Sequence, residues 1–438
     1  MMLRRVTITN LAPTGEGVAR TPEGVGFVAG GLPGEEVEAE VLEARKKFWK
    51  GRAVSVSTRS PLRRAGAHAE GCAGCDWSHF DLEAARRAKR ELFLETMERI
   101  GELPSELFGG LGGSGEPCDS PSPLTIEPSP LAYRLRNRFH VAGEGREARV
   151  GYFAPRTHRV ESADACEALS EPTRLLLPRL SQAIATSSAA ASEIATVEDL
   201  AGTRRLARAT MAAGADRRAA HATLDVLSPF FEGTTVAAAE GPVLARSGER
   251  RLWIPVGERD FPLTAWTFFQ SNRYLLEPLS SDVQRQAARI SAGRAVDLFG
   301  GVGFFAGALL EGGHSVVTVE ASHVAVEQAL AAKRRWQSDR WTVVHADALE
   351  FFERSRENFD LIVADPPRAG LGLPLARALA NRPPSLLLYV SCETATLARD
   401  LAALVGGGLF IAGARLYDLY PLTHRVEAVV ALSAFGER

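Results

Sequence analysis

The chain of 438 residues is too long for one ordinary domain, so two or three domains are expected. Its hydrophobic fraction of 45% and charged fraction of 24% are typical of a globular protein, and a net charge of -2 excludes a basic surface over the whole molecule. No apolar run is long enough to span a membrane, the first residues lack the apolar core of a secretory signal, and five unevenly spread cysteines do not suit a disulfide framework. We therefore expect a cytoplasmic protein, in which a reactive thiol and a metal site are both permitted.

Residues 1–60 contain short strand candidates separated by glycine turns, a pattern that predicts a small antiparallel barrel. The candidates are residues 6–8, 26–28, 37–41 and 53–56. Residues 45–52 mix cations with Phe48 and Trp49. That mixture suits RNA phosphates and stacked bases as well as it suits a solvated hairpin, and the segment alone leaves both interpretations open.

Residues 61–122 begin with a tight Cys72-Ala73-Gly74-Cys75 motif. Alone, this motif fits half of a metal site, a redox pair or chance. Residues 83–100 are rich in Ala, Arg, Lys, Glu and Leu, which predicts an exposed helix. Residues 103–123 are rich in Gly, Pro and Ser and predict a loose linker that contains Cys118.

Residues 123–262 are predicted to form a central, mostly β domain. Alternation within residues 133–139 puts Arg134, Arg136 and Arg138 on one face of a strand. Three guanidinium groups in a row repel one another unless they meet anions, which favours contact with an RNA backbone over simple solvation.

Residues 263–438 alternate between strands and helices, a pattern that predicts a doubly wound, Rossmann-like parallel sheet. The strand candidates are residues 294–299, 316–319, 341–344, 360–364, 386–390 and 425–432. In such sheets ligands bind beyond the carboxyl ends of the strands. Five chemically active side chains lie at or near these ends: Asp297, Glu320, Asp347, Asp365 and Cys392.

A glycine turn, Gly300-Gly301-Val302-Gly303, separates the first of these strands from its helix. Glycine lets a ligand approach the backbone closely, and an acid about twenty residues further on, here Glu320, suits the hydroxyl pair of a ribose. The spacing does not match the dinucleotide pattern G-x-G-x-x-G. The turn by itself leaves nicotinamide and adenosyl cofactors open.

Two further motifs point to nucleophilic catalysis on carbon. Asp365-Pro366-Pro367-Arg368 ends a strand in a rigid loop, and Arg368 replaces the aromatic residue that amino-group methyltransferases favour there. Cys392 lies between the strand candidate 386–390 and a helix, where a helix dipole favours the thiolate. By position alone, a small buried Cys that only packs is the commoner case, so the interpretation depends on the other motifs.

Taken together, the motifs resemble the RNA 5-methyluridine methyltransferases. The resemblance rests on Asp297–Gly303 (DLFGGVG), Asp365–Leu371 (DPPRAGL), Tyr389–Cys392 (YVSC), Thr396–Asp400 (TLARD), Phe268–Asn272 (FFQSN), Asp418–Pro421 (DLYP) and Val426-Glu427. Residues 1–60 are similar to the TRAM domain that often precedes this enzyme. The resemblance covers nearly the whole chain and is weaker in residues 170–260.

The resemblance implies a role for each matching residue. S-adenosylmethionine is expected to bind at Gln270, Phe299, Phe304, Glu320, Asp347 and Asp365. Cys392 matches the nucleophile and Glu427 the base that removes the ring proton. Three positions depart from the family pattern: Gly301 replaces Cys, Glu393 replaces Asn and Arg425 replaces His. Glu393 is expected to raise the pKa of Cys392.

Many relatives hold an iron–sulfur cluster through Cys-x5-Cys-x2-Cys and one distant Cys. Here Cys72, Cys75 and Cys166 match the last three ligands, and Gly66 stands where the first is expected. No spacing rule supports His68 or Cys118 as a substitute. Loss of the cluster and an unusual three-thiol cluster therefore both stay open.

The leading hypothesis is a monomeric uracil-5-methyltransferase acting on ribosomal RNA, with transfer RNA as the alternative substrate. A second hypothesis is a non-catalytic RNA-binding protein on a methyltransferase scaffold, against which the retention of Cys392 and Glu427 argues. A third, a cytosine-5 methyltransferase, normally has a Pro-Cys or Thr-Cys context, whereas Ser391 precedes Cys392 here.

Overall fold

The computed structural model describes residues 2–22, 24–64, 74–111, 123–143, 148–154, 157–239 and 241–434. Within these residues no helix combines the length and the apolar character needed to cross a membrane.

Six strands form an N-terminal sheet: β1 (Leu3–Thr7), β2 (Asn10–Leu11), β3 (Gly17–Thr21), β4 (Gly24–Ala29), β5 (Glu36–Ala44) and β6 (Phe48–Thr58). Their order is β1-β5-β6-β4-β3-β2, so β1 and β2 lie at opposite edges although only Ile8 and Thr9 separate them. Such a short link joins the two edges, which closes the sheet into a barrel. Neighbouring strands are antiparallel except β4 with β6, and Trp49 is buried in the barrel core.

Helix α1 (Leu82–Gly101) follows the barrel. It begins where the Asp81 carboxylate accepts a hydrogen bond from Ala84 N at 2.9 Å, and it ends at Glu102, which has a left-handed backbone. The predicted exposed helix is exposed on one face only. Phe93 and Met97 are buried against the C-terminal half of the chain.

The central sheet has seven strands in the order β10-β9-β8-β11-β12-β13-β14, and only β12 with β13 is parallel. Its elements are β8 (Arg136–Ala142), β9 (Arg149–Phe153), β10 (Val160–Ser162), α2 (Glu171–Ala185), β11 (Ala191–Glu198), β12 (Arg205–Met211), α3 (Arg217–Leu227), β13 (Gly233–Ala237) and β14 (Val243–Gly248). Two short 3-10 helices span Ser105–Leu107 and Ser228–Phe230. Helices α2 and α3 pack against this sheet around a core that includes Leu177, Leu180 and Leu227.

The C-terminal region is built on an eight-stranded sheet in the order β19-β18-β17-β20-β21-β23-β22-β7. The elements are β7 (Ile126–Glu127), α4 (Leu276–Ala287), β17 (Arg294–Leu298), α5 (Phe304–Glu311), β18 (Ser315–Glu320), α6 (His323–Trp336), β19 (Trp341–His345), α7 (Ala348–Arg354), β20 (Leu361–Ala364), α8 (Gly372–Asn381), β21 (Leu386–Ser391), α9 (Thr394–Gly406), β22 (Phe410–Tyr417) and β23 (Glu427–Ser433). A separate hairpin, β15 (Leu252–Val256) with β16 (Arg259–Leu263), packs into the same core.

The last strand differs from the prediction. β17 to β21 are parallel as expected, but β23 runs antiparallel to both β21 and β22. Strand β22 is not among the strands predicted from the sequence. Without this partner, the last strand was wrongly predicted to be one more parallel strand. The reversal decides where Glu427 lies, because an antiparallel strand begins at the edge where its parallel neighbour ends.

Candidate active site

Cys392 and Glu427 meet at the carboxyl edge of the sheet. Strands β21 and β23 pair with Ser391 opposite Ala428. One more residue of the same register puts Cys392 opposite Glu427. On the other side of β21, Ala364 pairs with Tyr389, so Asp365 leaves β20 at the same edge. The structure thus brings together three of the predicted site residues.

The Cys392 thiol is held in its protonated form. Burial first, and then the carboxyls of Glu427 and Asp365, raise its pKa to about 12 against the opposing effect of Arg368 and Arg425. The helix dipole of α9 was expected to favour the thiolate, but burial outweighs it. The neighbouring carboxyls that raise the pKa lie on other strands, while Glu393, which was expected to do so, faces Arg425.

The two carboxyl groups beside the thiol also hold protons tightly. Burial raises the pKa of Asp365 to about 7, an effect opposed by Gln270, whose Nε2 donates to Oδ2 at 2.9 Å. Burial first, and then Asp365, raises the pKa of Glu427 well above its ordinary value. Two neighbouring carboxyls do not both ionise readily, and each raises the pKa of the other.

The glycine turn and Glu320 lie together on the adjoining strands. Glu320 accepts hydrogen bonds from Gly301 N at 2.9 Å and from Ser322 N at 2.6 Å. Gly300 is required here, because an added Cβ would lie 2.4 Å from Oδ2 of Asp297. The hydrogen bond from Gly301 N to Glu320 ties the turn to the end of β18.

Asp297, directly beneath the turn, is a buried acid whose Oδ1 has no hydrogen-bond partner among the described residues. Its Oδ2 accepts from the Thr318 hydroxyl at 3.3 Å. Burial first, and then the neighbouring Asp365, raises the pKa of Asp297 to about 8. The unsatisfied oxygen indicates a polar group that belongs to the site.

The other proposed cofactor residues differ in what their side chains do. Asp347 is exposed, and its Oδ1 caps α7 by accepting from Leu349 N and Glu350 N. Phe299 ends β17 with a positive φ of 59°, a strained conformation for a non-glycine residue. The Phe304 ring is buried, 5.6 Å from the rings of Phe261 and Phe269, so any contact of Phe304 with a ligand is made by its backbone.

Sequence reasoning did not assign three residues that border the thiol. Tyr420 has a raised pKa because it is buried beside Glu427, Cys392 and Asp365. Arg368 and Arg425 are the cations that act on the thiol. The Asp-Pro-Pro-Arg and Tyr-Pro motifs could have indicated Arg368 and Tyr420. For Arg425, a departure from the family pattern, only the fold indicates a role.

The three arginines expected on one strand face have different surroundings. Arg134 lies 5.9 Å from the rings of Tyr133 and Tyr152 and donates to the Tyr152 hydroxyl. Arg138 is exposed and pairs with Glu193 at 3.4 Å. Arg136 lies 5.8 Å from the Phe268 ring, and its buried Nε has no hydrogen-bond partner among the described residues.

Of the proposed cluster ligands, Cys72 lies outside the described residues, as do Gly66, His68 and Cys118. Cys75 and Cys166 are buried in the core of the central region. Both raise the pKa of Tyr133 and of Arg134. The part of the chain that the structure describes contains no group of three or more His, Cys, Asp or Glu side chains arranged for a metal. The three thiols at the matching positions, those of Cys72, Cys75 and Cys166, are one short of the usual four, so these residues do not fit a standard cluster.

Comparison with known proteins identifies two families along the chain. A family described as TRAM domain matches residues 3–54, and one described as tRNA (Uracil-5-)-methyltransferase matches residues 267–435. The chain is 32% identical to the 23S rRNA (uracil(1939)-C(5))-methyltransferase RlmD of Halomonas elongata, over 98% of this chain and 89% of the relative. The chain belongs to the RNA uracil-5-methyltransferase family. The resemblance seen in the motifs, including the TRAM domain, is thereby confirmed.

Two more relatives agree with this assignment. An RNA methyltransferase of Streptomyces coelicolor is 31% identical, over 98% of this chain and 92% of its own. Among solved structures, the tRNA (uracil-54, C5)-methyltransferase of Pyrococcus abyssi in complex with S-adenosyl-L-homocysteine matches with a TM-score of 0.77 and 21% identity, over 98% of this chain and 99% of that chain. The uracil-5-methyltransferase described here therefore shares its whole fold, from barrel to methyltransferase sheet, with that protein.

Proposed function

We propose that the enzyme transfers a methyl group from S-adenosylmethionine to carbon 5 of a uridine in ribosomal RNA through a covalent Cys392–uracil adduct. The observation that carries the proposal is the pairing of a thiol and a carboxyl, Cys392 and Glu427, across two strands at the ligand-binding edge of the sheet. One Cys and one carboxylate are the minimum that this chemistry requires.

The residues at the strand ends fit the cofactor. We assign its binding to Gln270, Phe299, Phe304, Glu320, Asp347 and Asp365. Glu320 holds the glycine turn through backbone hydrogen bonds and keeps lone pairs for the hydroxyls of a ribose. The unpartnered Oδ1 of Asp297 supports a polar ligand above the turn. When bound, S-adenosylmethionine supplies an electrophilic methyl group.

The chain's own residues do the remaining chemistry. Cys392 loses its proton to solvent by way of the neighbouring carboxyl pair, which leaves Glu427 free to accept a later proton, and the sulfur adds to carbon 6 of uracil and makes carbon 5 nucleophilic. After carbon 5 has taken the methyl group, Glu427 removes its proton, the ring double bond re-forms, and the sulfur leaves. Because burial raises the pKa of Glu427, its carboxylate is a stronger base than that of a solvated Glu.

Ribosomal RNA is favoured over transfer RNA because the relative at 32% identity is a 23S rRNA enzyme. The TRAM barrel and β8 are the proposed RNA-binding surfaces, since a uracil must leave its stack to reach Cys392. We propose that the enzyme acts as a monomer in the cytoplasm. A non-catalytic RNA-binding role is disfavoured by the retained thiol and carboxyl.

The test uses the variant Glu427→Gln, which keeps the size of the side chain but cannot accept the carbon 5 proton. With unmodified ribosomal RNA and labelled S-adenosylmethionine, it should transfer one methyl group and stall as a protein–RNA adduct that survives denaturing electrophoresis. The adduct should disappear when Cys392→Ala is added. Full turnover by Glu427→Gln would remove Glu427 from its role, and methylation by Cys392→Ala would refute the covalent mechanism.

The choice between the two RNA classes is tested in cells, with the wild-type strain as the reference. Mapping 5-methyluridine in ribosomal and transfer RNA from cells with and without the gene identifies the substrate class. A site lost only from transfer RNA would exclude the ribosomal assignment and leave the mechanism intact.

A further inference from the structure

An ion pair connects the two loops that carry the proposed nucleophile and base. Glu393 directly follows Cys392, and Arg425 lies two residues before Glu427. Arg425 Nη1 lies 3.4 Å from Glu393 Oε2, with the two side chains 28% and 35% exposed. The contact therefore joins the end of β21 to the start of β23 on the open side of the thiol.

The local backbone explains why the Glu393 side chain is available. Glu393 occupies the position before α9, where a side chain often caps the helix, but its carboxylate makes no capping bond. Instead its backbone oxygen accepts from Leu397 N at 3.1 Å and from the Thr396 hydroxyl at 3.2 Å. The carboxylate makes no bond to the start of the helix and extends towards Arg425.

Arg425 is held in place from its own loop. Its backbone N donates to the Thr423 hydroxyl at 3.2 Å, and that hydroxyl donates to Tyr420 O at 2.8 Å. The preceding residue, His424, is bonded in turn to Asp76. The guanidinium thus projects from a loop that is held by hydrogen bonds. Its contact with Glu393 therefore couples the position of this loop to the end of β21.

The resemblance described above implies Asn and His at the two positions that Glu393 and Arg425 occupy in this chain. Either charge alone would leave an uncompensated charge near the thiol, a cation with Arg425 or an anion with Glu393. Present together, they bridge the two loops, and Arg425 still lowers the pKa of Cys392. Neutral hydrogen-bonding residues at these positions are thus replaced by an ion pair.

We infer that the Glu393–Arg425 ion pair is a positioning contact that sets the carboxyl of Glu427 against the sulfur of Cys392. The inference rests on the roles proposed for those two residues. A half-exposed ion pair adds little to overall stability, so the contact acts on the geometry of the two loops. Proton removal from carbon 5 is the step most sensitive to the separation of the loops, because the base must reach a ring that is fixed on the sulfur.

The experiment is a charge swap measured in single turnover, with the formation and the resolution of the adduct timed separately. Glu393→Arg and Arg425→Glu should each slow resolution by about fivefold or more, and the double variant should recover most of the loss, as expected of a direct pairwise interaction. Arg425→Lys should retain more of the rate than Arg425→Gln. RNA affinity, measured by filter binding, should change less than the resolution rate.

The matched control swaps Arg294 and Glu357, an exposed ion pair at the opposite end of the sheet, with their Nη2 and Oε2 atoms 2.5 Å apart. Reversal of that pair should leave both adduct steps unchanged. Resolution losses that multiply in the double Glu393→Arg/Arg425→Glu variant, without recovery, would overturn the inference. If the wild-type enzyme forms no adduct at all, the proposed function fails instead, so the two failures are distinguishable.

Discussion

The chemistry of Cys392 depends on side chains that arrive from two other segments of the chain. Burial and the carboxyls of Glu427 and Asp365 raise its pKa, and Arg368 and Arg425 lower it. An isolated thiol beside a helix start would be activated, but in this site the activating proton acceptor comes from the carboxyl pair. The thiol is therefore protonated near neutral pH.

Removal of Arg368 tests this balance of charges. A cation favours the thiolate, so Arg368→Gln should raise the pKa of Cys392 further and slow its alkylation by iodoacetamide at each pH between 6 and 9 by about twofold to tenfold, since an exposed charge is partly screened. In both proteins the rate should keep rising with pH without a plateau. Peptide mapping by mass spectrometry assigns the alkylation to Cys392.

The control for that experiment is Arg356→Gln, an exposed arginine in the loop between α7 and β20 that is not among the charges acting on the thiol. It should leave the alkylation rate unchanged. An alkylation rate of Cys392 that is equal in Arg368→Gln and in the wild type would show that Arg368 does not stabilise the thiolate.

At the scale of elements, the loop after β20 is fixed by helix α9. The buried Asp400 accepts from Leu371 N at 2.7 Å and from the Tyr389 hydroxyl at 2.8 Å. The Thr396 hydroxyl donates to Arg368 O at 3.0 Å. Two of the family motifs, Asp-Pro-Pro-Arg and Thr-Leu-Ala-Arg-Asp, therefore form one unit that holds Asp365 and Arg368 beside the thiol.

Strand β8 carries the second element-scale prediction, in which the structure separates arginines that the sequence grouped together. Arg136 has a buried Nε without a partner among the described residues, whereas Arg138 is paired with Glu193. Arg136→Gln should weaken RNA binding and reduce the log–log salt slope by roughly 0.7 to 0.9, the value for one lost phosphate contact. Arg138→Gln should have a smaller effect on both quantities.

A filter-binding series in salt measures these slopes, with Arg246→Gln as the control. Arg246 is exposed on β14, at the far edge of the same sheet from β8. A slope for Arg136→Gln that equals the wild-type slope would remove Arg136 from the RNA contact.

At the scale of the whole molecule, the segment before Glu427 is held by parts of the chain that precede it by more than 300 residues. Trp77 Nε1 donates to Gly15 O of the barrel at 2.8 Å, and Trp77 N donates to Leu422 O at 2.9 Å. The buried Lys89 pairs with Asp418 at 2.5 Å. The barrel, α1 and the segment 418–422 are thereby joined.

The iron content tests whether that motif still holds a cluster. Because Gly66 cannot supply the expected fourth thiolate, protein purified anaerobically should contain substoichiometric iron or none, with no visible absorption of a cluster. Iron and sulfide assays on the full chain check this. Four irons and four sulfides per chain would show that another group completes the site.

The sequence by itself determined the local features of this protein. Apolar runs located the parallel strands, composition located α1, and glycine and proline motifs located the turns at the strand ends, because these signals depend on neighbouring residues. The motifs also identified the family and the pair Cys392 and Glu427. Short strands separated by glycine turns predicted the barrel, whose closure depends on the short link between β1 and β2.

Only the tertiary structure decided how those features act on one another. Strand β23 is antiparallel to its neighbours, and this direction puts Glu427 opposite Cys392. The direction depends on pairing with β22, a strand that was not predicted from the sequence. The raised pKa of Cys392 depends on burial and on charges from distant segments. The Glu393–Arg425 contact and the unpartnered Arg136 likewise depend on which side chains meet across the fold. Local patterns cannot encode such long-range relations, because desolvation and pairing are properties of the packed chain.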